Sequence, residues 1–327
     1  MRRKISTRWA TAAAFAALSG FSGFSGLMQA PALAHDGPTP APSRFGAGDQ
    51  IGAANYLSPE LALQASRLVR SGKTYSLAIP TTPDTPALAP RSFRMTVVQP
   101  GQVGGTTLGP SKSSYNDDIL AAWVAVGTQI DGLGHVGIDN VYYNGNKASD
   151  FVTATGLTRL GIEGIPPFVT RGVVLDMAGY FGSERLKEGQ AFNRAELQAA
   201  ARRQGVQLRR GDVVLLHTGW LGLIGQDNAR FLAGEPGLGL DGARYLTELG
   251  VVAVGADNWA VEVLPNEKGN EAFDIHQHLL ARNGTYILEY VRTDELVRDQ
   301  AWEFMFVLGT PRYAGGVQAV VNPVAIR

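Results

Sequence analysis

Between Gln129 and His135 the chain reads QIDGLGH, which sets an amide, a carboxylate and an imidazole within seven residues. Such a trio can hold a cation or move a proton. Alternate side chains of a strand share a face, so Gln129 and Asp131 are expected to project to one side. Gly132, Gly134 and Gly137 free the backbone to turn and bring His135 back toward Asp131. Ahead of them, Trp123, Val124 and Val126 read as a strand that runs out through Gly127-Thr128 into this loop.

The chain holds five histidines, so each can be weighed singly. His35 sits in a polar leader. His217 closes the apolar run Val213 to Leu216, and sites of α/β proteins gather at such strand ends; a hydrogen-bonded structural imidazole reads equally well there. His276 and His278 lie two apart on an expected helix and therefore point to different faces. Trp123, Tyr142, Tyr143 and Trp259 are candidates to wall an apolar, substrate-binding pocket, although buried aromatics also serve plain core packing. Asp257-Asn258-Trp259 and Glu262 follow another apolar run, and Asp257 is the residue expected to support the site from behind.

The stretch Trp123 to Gly145 resembles the signature of a metal-dependent cyclase or hydrolase family that includes kynurenine formamidase and isatin hydrolase, written H-x-G-T-H-x-D-x-P-x-H. The corresponding positions are Ala125, Gly127, Thr128, Gln129, Asp131, Leu133 and His135, so two early histidines and a proline are replaced. Further resemblance lies in Arg44 to Glu60, Asp257 to Pro265, His276 to Glu289 and the closing EFMFVLGTPRYAGG. Together these cover the chain from about residue 44 onward. The resemblance implies a layered β/β/α arrangement with mixed sheets, a metal held by Asp131, His276 and Glu289, and His135 as general base. His276, with Leu279 and Leu280 behind it, matches the family's downstream histidine, and His278 is the runner-up, a surface histidine on the plainer reading. Glu289 matches the glutamate with one residue of extra spacing.

Two carboxylates and one imidazole suit a divalent metal with an open position, and Gln129 adds a carbonyl oxygen. Alanine at 125 cannot bind anything, so one divalent metal ion is expected, Mn²⁺ or Zn²⁺, the oxygen-rich set leaning toward Mn²⁺ or Mg²⁺. The reaction implied is opening of an amide bond, cyclic or formyl, in a small aromatic or heterocyclic substrate. The alternative is a small-molecule binding protein on the same fold that lost its chemistry with the two histidines. No P-loop, G-x-S-x-G or H-E-x-x-H occurs, so nucleotide cofactors and the commonest serine or zinc protease chemistries lack support.

The elements that must position these residues alternate. Ser58-Pro59-Glu60 starts a helix that runs to Gly72, with strands at Thr74 to Ile79 and Phe93 to Val98. Gly172 to Met177, Val213 to Leu216 and Val251 to Val254 read as buried strands. Between them, a capping box at Asn193 to Glu196 opens a helix ending at Gly205, and Asp241 caps another ending at Gly250. This pattern gives the α/β class with a partly parallel sheet. The apolar tail Val317 to Ile326 pairs across subunits or forms an inner strand.

The first residues carry Arg2, Arg3, Lys4 and Arg8, followed by an apolar run and Ala32-Leu33-Ala34. This reads as a signal peptide over 1–34, a flexible leader over 35–43 and one domain over 44–327, with a periplasmic or secreted product. The whole chain has 29 basic and 29 acidic residues; removing the four basic ones of the signal leaves 25 against 29, a net charge of −4. Neither nucleic acid nor a lasting membrane attachment is expected of such a chain. It contains no cysteine, so disulfides and thiolate chemistry are excluded. The expected partners are a small-molecule substrate and, as the family resemblance implies, further copies of the chain in a homo-oligomer.

Overall fold

The computed structural model describes residues 37, 39–98, 105–269 and 273–327. The expected signal segment lies outside the described residues. Eleven strands carry the argument: β1 (Thr74–Ser76), β2 (Phe93–Val98), β3 (Asp117–Ala122), β4 (Gln129–Asp131), β5 (Phe168–Asp176), β6 (Val213–His217), β7 (Ala253–Ala256), β8 (Tyr286–Glu289), β9 (Glu303–Leu308), β10 (Gln318–Val320) and β11 (Val324–Ile326). Nine of them form one mixed sheet in the order β1-β11-β9-β5-β6-β7-β8-β4-β10. Its centre, β5 to β8, is parallel, and the strands on both flanks pair antiparallel.

A parallel centre covered by helices must be apolar on both faces. Accordingly Val213, Val214, Leu215 and Leu216 are all fully buried. Each such side chain contributes about 1.5–3 kcal/mol of burial. The helices α1 (Pro59–Ser66), α2 (Arg194–Gln204) and α3 (Leu240–Leu249) flank the sheet. Ser58 caps α1 by accepting the Leu61 N–H, and Asn193 with Glu196 makes the expected capping box on α2. Gly205 and Gly250 close α2 and α3 in the left-handed conformation, at φ 71° and 79°.

Some boundaries differ from expectation. Helix α1 stops at Ser66 rather than Gly72, and β1 is shorter than Thr74 to Ile79. The N-cap of α3 is Gly239, which places Asp241 inside the first turn. The run Trp123 to Thr128 is not a strand: β3 ends before it, and β4 begins only at Gln129, where pairing with β8 becomes available. The C-terminal tail resolves into two strands of the same sheet, β10 at its edge beside β4 and β11 inside, between β1 and β9.

Strands β2 and β3 form a separate two-stranded ribbon. It presents Val97, Ile119 and Leu120 to solvent at 68%, 60% and 55% exposure.

Candidate metal centre

Strand β4 lies between two strands from the far end of the sequence. Gln129 pairs with Glu289 of β8, and Asp131 pairs with Gln318 of β10. Alternation then turns Gln129 and Asp131 to the face on which Glu289 projects, as expected from their spacing. His276 comes from a short helix, Asp274–His276, that continues as a π-helical turn, Gln277–Arg282. A π-turn takes up one more residue than an α-turn. The turn falls between His276 and Glu289, where the resemblance implies one residue of extra spacing.

Asp131, His276 and Glu289 come together, with one potential ligand atom from each lying within 4.8 Å of the others. All three are buried, as is Gln129. His276 Nε2 stands 3.3 Å from Glu289 Oε1 and 3.7 Å from Asp131 Oδ2. Gln129 donates through Nε2 to Glu289 Oε2 at 2.6 Å. Among the described residues, two oxygens of the cluster are buried with no hydrogen-bond partner, Asp131 Oδ2 and Gln129 Oε1. An orphaned buried oxygen costs about 1–3 kcal/mol, more if charged, and a cation bound by these side chains would satisfy both. The donor set therefore fits a divalent metal.

The electrostatics agree. Burial, and next the charge of Asp131, push the Glu289 carboxyl up to about 8. Burial lowers the proton affinity of His276, but its hydrogen bonds to Asp131, Glu262 and Glu289 prevail and hold it well above the ordinary imidazole range. Burial alone would raise Asp131; the neighbouring His135 and His276 carry it below the ordinary value. The pocket thus holds surplus negative charge, partly neutralised by protons that a cation would displace.

His135 follows a turn closed by its N–H to the Gly132 carbonyl at 3.0 Å. Its ring centroid lies 6.4 Å from that of His276. Burial, the largest influence, keeps it in the neutral form more than an ordinary imidazole; Asp131 opposes this, while His276 and Arg91 add to it.

Three neighbours were not picked out from sequence as parts of this cluster. Gln318 donates to Asp131 Oδ1 at 2.7 Å and reaches within 3.4 Å of His135 Nε2, spanning the carboxylate and the base. Glu262, rather than the expected Asp257, supports the cluster from behind: its Oε2 lies 3.2 Å from His276 Nδ1 and accepts the N–H groups of Ile275 and His276. With Nδ1 bound to Glu262, Nε2 is free to face the cluster. Arg91 acts electrostatically on both His135 and Glu289. Glu262 lies in the Asp257 to Pro265 stretch that carries the resemblance; nothing local in the sequence marks Gln318 or Arg91.

Glu262→Gln keeps the shape but loses the charge that holds His276. We expect metal affinity to fall by about 10–100-fold, measured by chelator competition; an unchanged affinity would remove Glu262 from this role.

The other candidates separate. Asp257 binds Thr218, Gly219 and His217 instead of the cluster. His278 is buried, not on the surface, with Nε2 2.9 Å from Thr247 Oγ1. Trp123 is 52% exposed, beside the ribbon. Tyr142 packs edge-on against Phe151, and Tyr143 sends its hydroxyl to Asp49 at 2.6 Å. Trp259 is buried, and its indole N–H has no partner among the described residues. Two glycine runs, Gly132 to Gly137 and Gly237 to Gly242, match the dinucleotide spacing G-x-G-x-x-G. The first leads into a turn, and the helix start at the second is already occupied by Asn193 and Glu267, which accept the Gly242 and Leu240 N–H groups.

A family model described as a putative cyclase matches residues 75–263. A crystal structure described as a novel cyclase is 32% identical, with a TM-score of 0.79 over 87% of this chain and 98% of that one. Isatin hydrolase A from Ralstonia solanacearum is 20% identical, with a TM-score of 0.60 over 82% and 97%. A potential metal-dependent hydrolase with cyclase activity is 16% identical, with a TM-score of 0.51 over 77% and 98%. The last two likenesses are of fold. No curated protein matches the chain.

Proposed function

The chain belongs to the cyclase family, and from that premise we propose that it is a metal-dependent hydrolase opening an amide bond, cyclic or formyl, of a small aromatic or heterocyclic compound. The observation that carries this reading is the buried Asp131, His276 and Glu289 cluster with two unpartnered oxygens beside an imidazole held neutral. The solved isatin hydrolases of the same fold, one bound to the product analogue thioisatinate, suggest the substrate class.

Asp131, His276 and Glu289 would hold one divalent ion, Mn²⁺ or Zn²⁺, with the carbonyl oxygen of Gln129 as a further donor. Ala125, buried and without a ligand atom, stands against a second ion. When bound, such an ion supplies positive charge that polarises a carbonyl and acidifies water. His135 takes the proton of the attacking water and passes it to the departing nitrogen. Gln318 keeps Asp131 aimed and His135 near it. To Arg91, whose charge acts on both His135 and Glu289, we assign stabilisation of the negative charge that develops on the substrate oxygen. Trp259, through its unspent N–H, offers the substrate a donor from an apolar wall.

The test is turnover by metal-reconstituted protein against isatin, N-formyl arylamines, lactams and lactones, with Arg91→Gln alongside. Ring opening or deformylation in the wild type, with kcat lowered about tenfold or more in the variant, supports the reading. The replaced motif histidines favour a second one, a binding protein without chemistry; saturable ligand binding with no turnover of any amide would select it.

We further infer export through the signal at 1–34 to the periplasm or beyond, and assembly of the mature domain into a homo-oligomer through the apolar ribbon of β2 and β3. Amino-terminal sequencing of the exported protein and light scattering check these two; an uncut terminus or a monomer would refute them.

A further inference from the structure

At the ends of β6 and β7 a cavity of about 600 Å³ opens. Its walls include Ile79, Pro80, Leu221 and Ile224, with His217 and Asp257 among the polar lining. None of Gln129, Asp131, His276 or Glu289 lines it. His217 stands on β6, two strands away from the β8 strand that bears Glu289.

The hydrogen bonds around His217 leave one ring atom for a ligand. Its Nδ1 is 2.8 Å from Thr293 Oγ1 and 3.2 Å from Asp257 Oδ2. Asp257 is itself fixed: Oδ1 accepts the Thr218 N–H at 2.7 Å and its hydroxyl at 2.5 Å, and Oδ2 accepts the Gly219 N–H at 2.8 Å. A carboxylate so fixed orients the imidazole through Nδ1–H and directs Nε2 as the remaining hydrogen-bonding atom. Burial is the largest influence on the His217 charge and opposes it, yet Asp257, Asp176 and Asp294 raise its proton affinity overall. Protonated, the ring presents Nε2–H to an acceptor.

The rest of the lining narrows the ligand. Arg292 is engaged by Asp294 at 3.1 Å and by Glu295 at 2.9 Å, so it offers little as an anion anchor. The acidic Glu184 in the wall disfavours di- and polyanions. An apolar cavity of this size with one directed polar group has the make-up of a small-molecule site.

We propose that this cavity is a second binding site, taking a small aromatic monocarboxylate whose ring lies on Ile79, Leu221 and Ile224 and whose carboxylate accepts a hydrogen bond from His217 Nε2.

Metal-loaded protein labelled with ¹⁵N-histidine, titrated with benzoate, tests this. The His217 signals, identified by their loss in His217→Gln, should shift saturably at millimolar or lower benzoate, and should do so equally in Asp131→Asn, whose metal cluster is broken. Benzamide, uncharged and of the same shape, should bind about tenfold more weakly or worse. Leu221→Trp, which fills the cavity without touching the dyad, should abolish the shift. Absence of a saturable shift, equal binding of benzamide, loss of the shift in Asp131→Asn, or its survival in Leu221→Trp would each overturn the proposal.

Discussion

Replacing Asp131 by Ala is expected to strip the protein of its divalent metal and its activity together. Asp131 provides the one charged oxygen of the cluster that has no other partner, and it stands within reach of both His276 and Gln318. Without it, two potential ligands from the trio remain, too few to retain an ion against competing water. His276→Ala should act alike, because it removes the only nitrogen donor of the cluster. The measurement is metal content of protein purified without chelator: about one equivalent in the wild type and essentially none in either variant. The associated loss of several kcal/mol of charge stabilisation corresponds to about a thousandfold or more in kcat/KM. Wild-type protein that takes up no metal even after reconstitution with Mn²⁺ or Zn²⁺ would end the hydrolase mechanism.

His135→Ala should part activity from metal. The residue lies beside the cluster and is absent from the metal-binding trio, so the ion should stay while kcat falls by about 10²–10⁴. Co-loss of the metal would mean that His135 is a ligand instead of a base. The pH profile adds a second readout. Because burial lowers the His135 pKa from its ordinary 6.5, the base is available at neutral pH, and the acid limb of kcat/KM should fall below that value. In His135→Ala that limb should vanish. The same shift has a sign for stability: between the lowered native pKa and 6.5 the unfolded chain binds a proton that the folded one does not, so this contribution is lost as pH drops through that window.

Much of the local structure was legible because its causes are local. The capping box at Asn193 and Glu196, the glycine stops at 205 and 250, and the common face of Gln129 and Asp131 follow from neighbours in the chain. So does the divergence of His276 and His278, two positions apart. What could not be read is what sheet pairing decides. Gln318 meets Asp131 across 187 residues of sequence, a partner chosen by β10 settling on the edge of β4. The strand expected at Trp123 fails for the same reason, since apolar residues there find no pairing strand. Asp257 and Glu262 lie five residues apart on one irregular segment, and only its folded course decides which carboxylate faces His276 and which faces His217.

The position of β4 also bears on how the ion is acquired. Its two partner strands are β8 and β10, so while the chain is being synthesised Gln129 and Asp131 emerge long before anything that can enclose them. A nascent chain lacking residues 286–320 lacks Glu289 and both strands that flank Asp131. Metal loading would therefore be a late event that waits for the finished polypeptide, in whichever compartment the chain folds. On the proposed reading, the ion supply of that compartment, more than the ligands' intrinsic preference, would then select the metal that the protein takes up.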